Sequence, residues 1–132
     1  MVVIGSFPSA TLPSPLPSWA CYLDGNQFPS NDVSQSLGLN NVELCSLNID
    51  PWKATPSNLT VAASGTTDSP FLFDRIEYVP DTSVILDNAT VVVDAFYDQI
   101  NYTGWSRFGQ IGMETSVQGS SLFFDFVGAF CL

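Results

Sequence analysis

The chain has 132 residues, thirteen acids against three bases for a formal charge of −10, and no histidine. A chain of that length supports one full core and not two, and an aromatic content of 13% beside 12% charged residues excludes a disordered acidic tail. With only Lys53, Arg75 and Arg107 to meet phosphate, nucleic acid and anionic lipid are poor partners, and no apolar run reaches the roughly 18 residues a membrane span needs.

Met1-Val2-Val3-Ile4 is followed by Gly5 and by prolines at 8, 13, 15 and 17, without a basic segment or a long apolar stretch. This is not a signal-peptide pattern, and the chain is expected to be a fragment or the product of a gene model that begins late. Further along, short alternating or continuous apolar runs recur between turn residues, and no window carries helical periodicity over three turns. Strands are expected at residues 2–4, 19–23, 42–47, 58–63, 70–79, 89–94, 102–108 and 121–127. In 58–63 Leu59 and Val61 point inward and Asn58 and Thr60 outward. In 70–79 the aromatics occupy odd positions and Ile76 and Tyr78 even ones, which predicts a β-bulge near Asp74. Asp24-Gly25 and Gln118-Gly119 read as tight turns, and Ser/Thr/Asn/Pro-rich connections between many short strands predict an all-β antiparallel sandwich or jelly roll.

Three cysteines, Cys21, Cys45 and Cys131, allow three different single bridges, or three buried thiols. The strand-like runs around Cys21 and Cys45 could pair side by side, and a bridge between them would leave Cys131 over. Three acceptor tripeptides, beginning at Asn58, Asn88 and Asn101, favour a secretory route, although a Ser/Thr/Asn-rich β-protein also generates such tripeptides by chance.

Several stretches carry a family resemblance. Trp19-Ala20-Cys21-Tyr22-Leu23-Asp24-Gly25, Asn40-Asn41-Val42-Glu43-Leu44-Cys45, Asn58-Leu59-Thr60-Val61 and Phe71-Leu72-Phe73-Asp74-Arg75-Ile76-Glu77-Tyr78 resemble the second half of a galactose-binding-domain-like jelly-roll repeat, found in tandem in ectodomains of predicted fungal membrane proteins. Asp87-Asn88-Ala89-Thr90-Val91-Val92-Val93-Asp94, Ile100-Asn101-Tyr102-Thr103-Gly104-Trp105 and the run from Gly119 to Gly128 resemble the first half of the next repeat. The resemblance implies a cell-surface origin, a Cys21–Cys45 disulfide, and two half-domains, 1–80 and 81–132, in permuted order that could close into a single sandwich. Where the family pattern is similar to a run of acids ending in proline, this chain keeps only Asp94 before Ala95-Phe96-Tyr97-Asp98-Gln99.

Without histidine the usual general base and the commonest metal ligand are missing. Asp94, Asp98, Asp125 and Glu114 could form a carboxylate pair of the glycosidase kind, but no spacing singles out two of them, and no enzyme activity and no cofactor are expected. Asp94 and Asp98 offer oxygens to calcium, short of the six to eight a site needs, so no metal site is expected. The aromatic group Phe96, Tyr97, Tyr102 and Trp105 lies between two strands. Asp94, Tyr97, Tyr102 and Trp105 are the candidate ligand-binding residues, for a glycan or cell-wall polysaccharide stacked on ring faces; against this, Tyr102 and Trp105 would serve equally as core-filling aromatics. The expected function is an extracellular, non-catalytic binding module; the alternatives are a glycosylated structural spacer and a truncated gene product without independent function.

Overall fold

The computed structural model describes residues 1–7, 16–32, 40–47, 56–79 and 90–127. It contains eleven strands and, among the described residues, no helix: β1 (Val2–Ser6), β2 (Ser18–Leu23), β3 (Asn26–Phe28), β4 (Val42–Ser46), β5 (Pro56–Ser64), β6 (Phe71–Tyr78), β7 (Val91–Asp94), β8 (Ile100–Thr103), β9 (Ser106–Phe108), β10 (Gly112–Thr115) and β11 (Ser120–Val127). They form two antiparallel sheets packed face to face. Sheet A runs β4-β1-β6-β10-β9, with β7 also on β6; sheet B runs β3-β2-β5-β11-β8. The expected all-β sandwich is therefore the observed architecture. Both sheets draw strands from either side of residue 80, joined by β5 to β11 in sheet B and by β6 to β7 and β10 in sheet A.

Alternation fixes which side chains fill the space between the sheets. Leu59 and Val61 of β5 are fully buried while Asn58 and Thr60 keep partial exposure, and Leu122, Phe124 and Phe126 of β11 are buried on the same inner face. One chain of rings crosses the interior from Phe7 to Trp19, Phe71 and Trp105, with neighbouring centroids 5.6 to 5.7 Å apart; a second runs from Tyr78 through Phe126 and Phe124 to Tyr97. Trp19 also spans the layers, its indole N–H donating to the Leu44 carbonyl at 3.1 Å.

β6 changes phase at Asp74, as its sequence predicts. Phe73 faces Gly5 and Arg75 faces Ile4, so Asp74 is left without a partner on β1. The extra residue lets Phe71 and Phe73 on one side and Ile76 and Tyr78 on the other all enter the core. On the opposite edge the same point divides β6 between two partners: residues 71–73 pair with β10 and residues 75–78 with β7.

Asp24 and Gly25 both have positive φ, 50° and 79°, the two-residue type I′ geometry, and they close a hairpin whose second strand, β3, falls where the sequence suggests turn and loop. The expected strand 102–108 is broken at Gly104 (φ 79°), where a Cβ would lie 2.5 Å from Ser120 Oγ, and β8 and β9 enter different sheets on either side of it. β10 was not expected; its Gly-Met-Glu-Thr run is too short and too mixed to show a period. Thr115 at its end is buried, sharing a hydrogen bond with Ser120 Oγ and donating to the Gly104 carbonyl at 2.9 Å, which ties β10, β11 and the β8–β9 corner together.

Cys21 and Cys45 form a disulfide. The expectation that their strands lie side by side is corrected: β2 belongs to sheet B and β4 to sheet A, so the bridge crosses the sandwich interior from two fully buried positions, with Cα atoms 6.5 Å apart. Such a bridge is compatible with an oxidising compartment. Cys131 lies outside the described residues. Closing a chain segment with a sequence separation of 24 stabilises the fold by about 3 kcal/mol in the chain-entropy picture. Reducing the protein, or replacing both cysteines by serine, is expected to lower the unfolding free energy by about that amount; urea unfolding of oxidised and reduced samples measures it.

Candidate functional site

Three of the sequence-derived candidates gather at the edge where β8 of sheet B meets the β9 side of sheet A. Tyr102 points inward from β8, opposite Leu122, and its hydroxyl donates to the Ala95 carbonyl at 2.7 Å. Burial, with Asp94 nearby as the lesser cause, pushes its phenol well above the ordinary tyrosine value. Trp105 packs edge-on against Phe71 and Phe73, at 5.7 and 6.4 Å, and lies 5.7 Å from the Tyr102 ring. Its indole N–H is buried without a hydrogen-bond partner. Both rings thus close the open flank of the sandwich, and the geometry favours the core-filling alternative for them. Tyr97 is 43% exposed, its ring edge against Phe124. Phe96 carries the Arg107 guanidinium 4.2 Å above its centre, which occupies the ring face a sugar would need.

The acidic candidates do not converge. Asp94 caps its own turn by accepting from the Phe96 N–H at 2.8 Å, and it faces Arg75 across β6 and β7. Asp98 is exposed in the following loop. Glu114 is opposite Leu72 on the outer side of sheet A, whereas Asp125 is opposite Asn58 on the outer side of sheet B, so the whole sandwich separates them. Among the described residues no three His, Cys, Asp or Glu side chains cluster in a way that could hold a metal ion.

Asp74 is the one carboxylate in an unusual setting. At the bulge its Oδ2 accepts from Ser6 Oγ at 2.5 Å while Oδ1 is buried without a partner. Burial raises its pKa above the ordinary aspartate value, against the smaller opposing effects of the Ser6 bond and the Arg75 charge. Its carbonyl accepts from the Ala95 N–H at 3.0 Å, so the residue also anchors the β7–β8 loop.

A different set of residues presents a surface. On the outer face of sheet B the registers align Gln27, Tyr22, Thr60, Phe123 and Asn101 in one row across all five strands. At the usual strand spacing the row is about 19 Å long, and its two rings stand about 10 Å apart with Thr60 between them. The adjacent row is Ala20, Ala62, Ser121 and Thr103, all small side chains, beside which Tyr22 is half-buried and Phe123 exposed. Phe123 is 42% exposed, and neither ring has an aromatic partner among the described residues. On the far side of the row Asn58 Nδ2 donates to Asp125 Oδ1 at 2.9 Å. Sequence reasoning missed this face, although Ser121-Leu122-Phe123-Phe124-Asp125-Phe126 contains the signal: Phe123 is the one aromatic on the parity it shares with Ser121 and Asp125. Of the acceptor asparagines, Asn58 is on the interior strand β5, Asn101 is exposed on the outer strand β8, and Asn88 lies outside the described residues.

Two outcomes follow from this geometry. Trp105→Ala is expected to cost about 3 kcal/mol of stability, toward the lower end for a large aromatic in a partly exposed wall, read by urea unfolding. For Asp74 the folded state binds its proton more tightly than the unfolded chain, so its penalty is complete above the raised folded value and disappears as pH falls to the unfolded value near 3.8. Asp74→Asn should therefore melt higher than the wild type at pH 7, with the difference shrinking toward pH 4; a constant difference across a pH series of melting curves would contradict the assignment.

No family model, no curated protein and no solved structure matches this chain.

Proposed function

We propose that this chain is an extracellular, non-catalytic binding module that takes an extended, neutral polysaccharide across the outer face of sheet B. The observation that carries the reading is the row Gln27–Tyr22–Thr60–Phe123–Asn101. Pyranose rings offer an apolar C–H face and an equatorial rim of hydroxyls. Two rings about 10 Å apart match alternate sugars of a chain of linked pyranoses, while amide and hydroxyl groups between and beside them supply donors and acceptors for the rim. The row holds no charged side chain, and a formal charge of −10 repels polyanionic chains.

The resemblance to galactose-binding-like repeats is retained as part of the proposal, with its jelly-roll connectivity, its cell-surface origin and its two half-repeats. The sharing of both sheets by strands from either side of residue 80 supports closure of those halves into one sandwich. A second reading, a glycosylated spacer, is favoured by one observation, the exposed acceptor Asn101 on an outer strand.

A cell-wall polysaccharide array, probed with the oxidised monomer, separates the two. Saturable binding is expected, with Tyr22→Ala and Phe123→Ala each weakening it about tenfold, or about 1.4 kcal/mol, while both variants keep the wild-type melting temperature to within a few degrees. Silence from a folded monomer would discard the binding reading in favour of the spacer, and equal binding by both variants would move the site off this face.

A further inference from the structure

We propose that Asn101 is an N-glycan acceptor whose first sugar seats on the ring of Phe123, covering one end of the row on sheet B. Its occurrence in the native setting rests on the secretory reading above; the seat itself does not.

The acceptor tripeptide Asn101-Tyr102-Thr103 sits on β8, which is paired only with β11 and has its other edge unpaired among the described strands. Tyr102 points inward and is pinned by its hydroxyl to the Ala95 carbonyl, so Asn101 and Thr103 both project outward, and both are exposed. Phe123 is directly opposite Asn101 in the register. Opposed residues on one face of an antiparallel pair have Cβ atoms about 5 Å apart. A sugar linked to Asn101 Nδ2 therefore starts beside an aromatic ring that is 42% exposed, and laying its C–H face on that ring removes apolar surface of both from water.

Asn58 offers the contrasting case on the same face. It is on β5, between β2 and β11, and both ends of its amide are engaged: Nδ2 donates to Asp125 Oδ1 at 2.9 Å and Oδ1 accepts from Thr60 Oγ1 at 3.1 Å. A sugar there would displace water from the Asp125 carboxylate with no ring directly opposite to receive it, since the residue facing Asn58 on β11 is that same aspartate.

The modification requires a lipid-linked oligosaccharide pyrophosphate as donor. A bond forms between Asn101 Nδ2 and C1 of the donor sugar, the C1–O bond to pyrophosphate breaks, the lipid pyrophosphate departs with that electron pair, and one amide proton passes to a base of the transferase. The product keeps one N–H on the amide and changes no oxidation state.

The test uses the full chain secreted behind an added leader from a glycosylating host, so occupancy is measured whatever the native compartment. Peptide mass mapping is expected to find Asn101 occupied in most molecules and more often than Asn58; an empty Asn101 in folded secreted monomer, or Asn58 occupied equally or more, overturns the proposal. The glycans are then trimmed enzymatically to a single sugar, and melting temperatures are compared for wild type, Asn101→Gln, Phe123→Thr and the double variant. Loss of the sugar should lower the melting temperature by about 3 °C with Phe123 present and by much less with threonine there; equal shifts in both backgrounds overturn the seat. Thr103→Ala, which abolishes the acceptor while keeping Asn101, must reproduce the Asn101→Gln result. On the polysaccharide array, protein lacking the Asn101 glycan should be retained several-fold better than the glycosylated form. Equal retention overturns the covering of the row, whereas no retention by any form sinks the binding reading alone and leaves the seat to be judged by mass and melting.

Discussion

The single extra residue at Asp74 determines how the rest of the chain can be placed. β6 is the centre of sheet A, and its first and second halves must both turn aromatic or aliphatic side chains toward sheet B although their sequence parities differ. A regular strand would expose either Phe71 and Phe73 or Ile76 and Tyr78. The bulge resolves the conflict, and the bend it introduces lets one edge of β6 accept β10 along 71–73 and β7 along 75–78. The later part of the chain is thereby attached to sheet A at two points, while β11 lies along the whole of β5 in sheet B. The carboxyl group at the bulge is the cost of the arrangement: half-buried, with one oxygen held by Ser6 and the other without a partner, it is the least satisfied acid whose surroundings are described.

The aromatics near the β7–β8 loop are engaged by the protein itself. Trp105 and Tyr102 seal the flank between β8 and β9, and the Phe96 ring is covered by Arg107. Rings engaged on their faces and edges by protein atoms cannot also present those faces to a ligand. On sheet B the opposite holds: inward positions are filled by Cys21, Leu59, Val61, Leu122 and Phe124, and Tyr22 and Phe123 stand on the outer side because neighbouring residues in a strand must point in opposite directions. The exposed Phe123 ring and the half-buried Tyr22 ring lie on the outer side of sheet B beside a row of alanine, serine and threonine, away from the side chains that fill the core.

The strand pattern was legible wherever a run had five or more residues and a consistent parity. Residues 58–63 declare their inward and outward sides, and the parity switch in 70–79 marks the bulge at Asp74. What escaped were the elements too short to show a period: Asn26–Phe28, which depends on two successive positive φ values at Asp24 and Gly25, and Gly112–Thr115, which exists because β6 and β9 supply partners on either side. The run 102–108 read as one strand since nothing local announces that Gly104 must tuck against Ser120, a residue 16 positions away. The cysteine pairing was legible only through the resemblance, and its direction across the sandwich was not, because strand-like runs do not say which sheet they join. The row on sheet B was hidden for the same reason: Tyr22, Thr60 and Phe123 become neighbours only once the registers of β2, β5 and β11 are known.

A flat row of this kind has a definite physical character. Tyr22 and Thr60 rise from interior strands of the sheet, and β2 is further tied to sheet A through the disulfide, so the rings are held in place before a ligand arrives and little ordering entropy is lost on contact. A shallow face nevertheless covers only one side of each sugar, and the enclosure that gives small-molecule pockets their affinity is absent. Binding on such a surface gains most from a ligand that offers the same contact many times over, as a long polysaccharide does, or from several modules acting on one chain. A single sugar fixed covalently at Asn101 meets the same requirement by another route, since attachment keeps its local concentration high however weak the stacking. The two proposed uses therefore draw on one feature, the exposed ring of Phe123, and would compete for it.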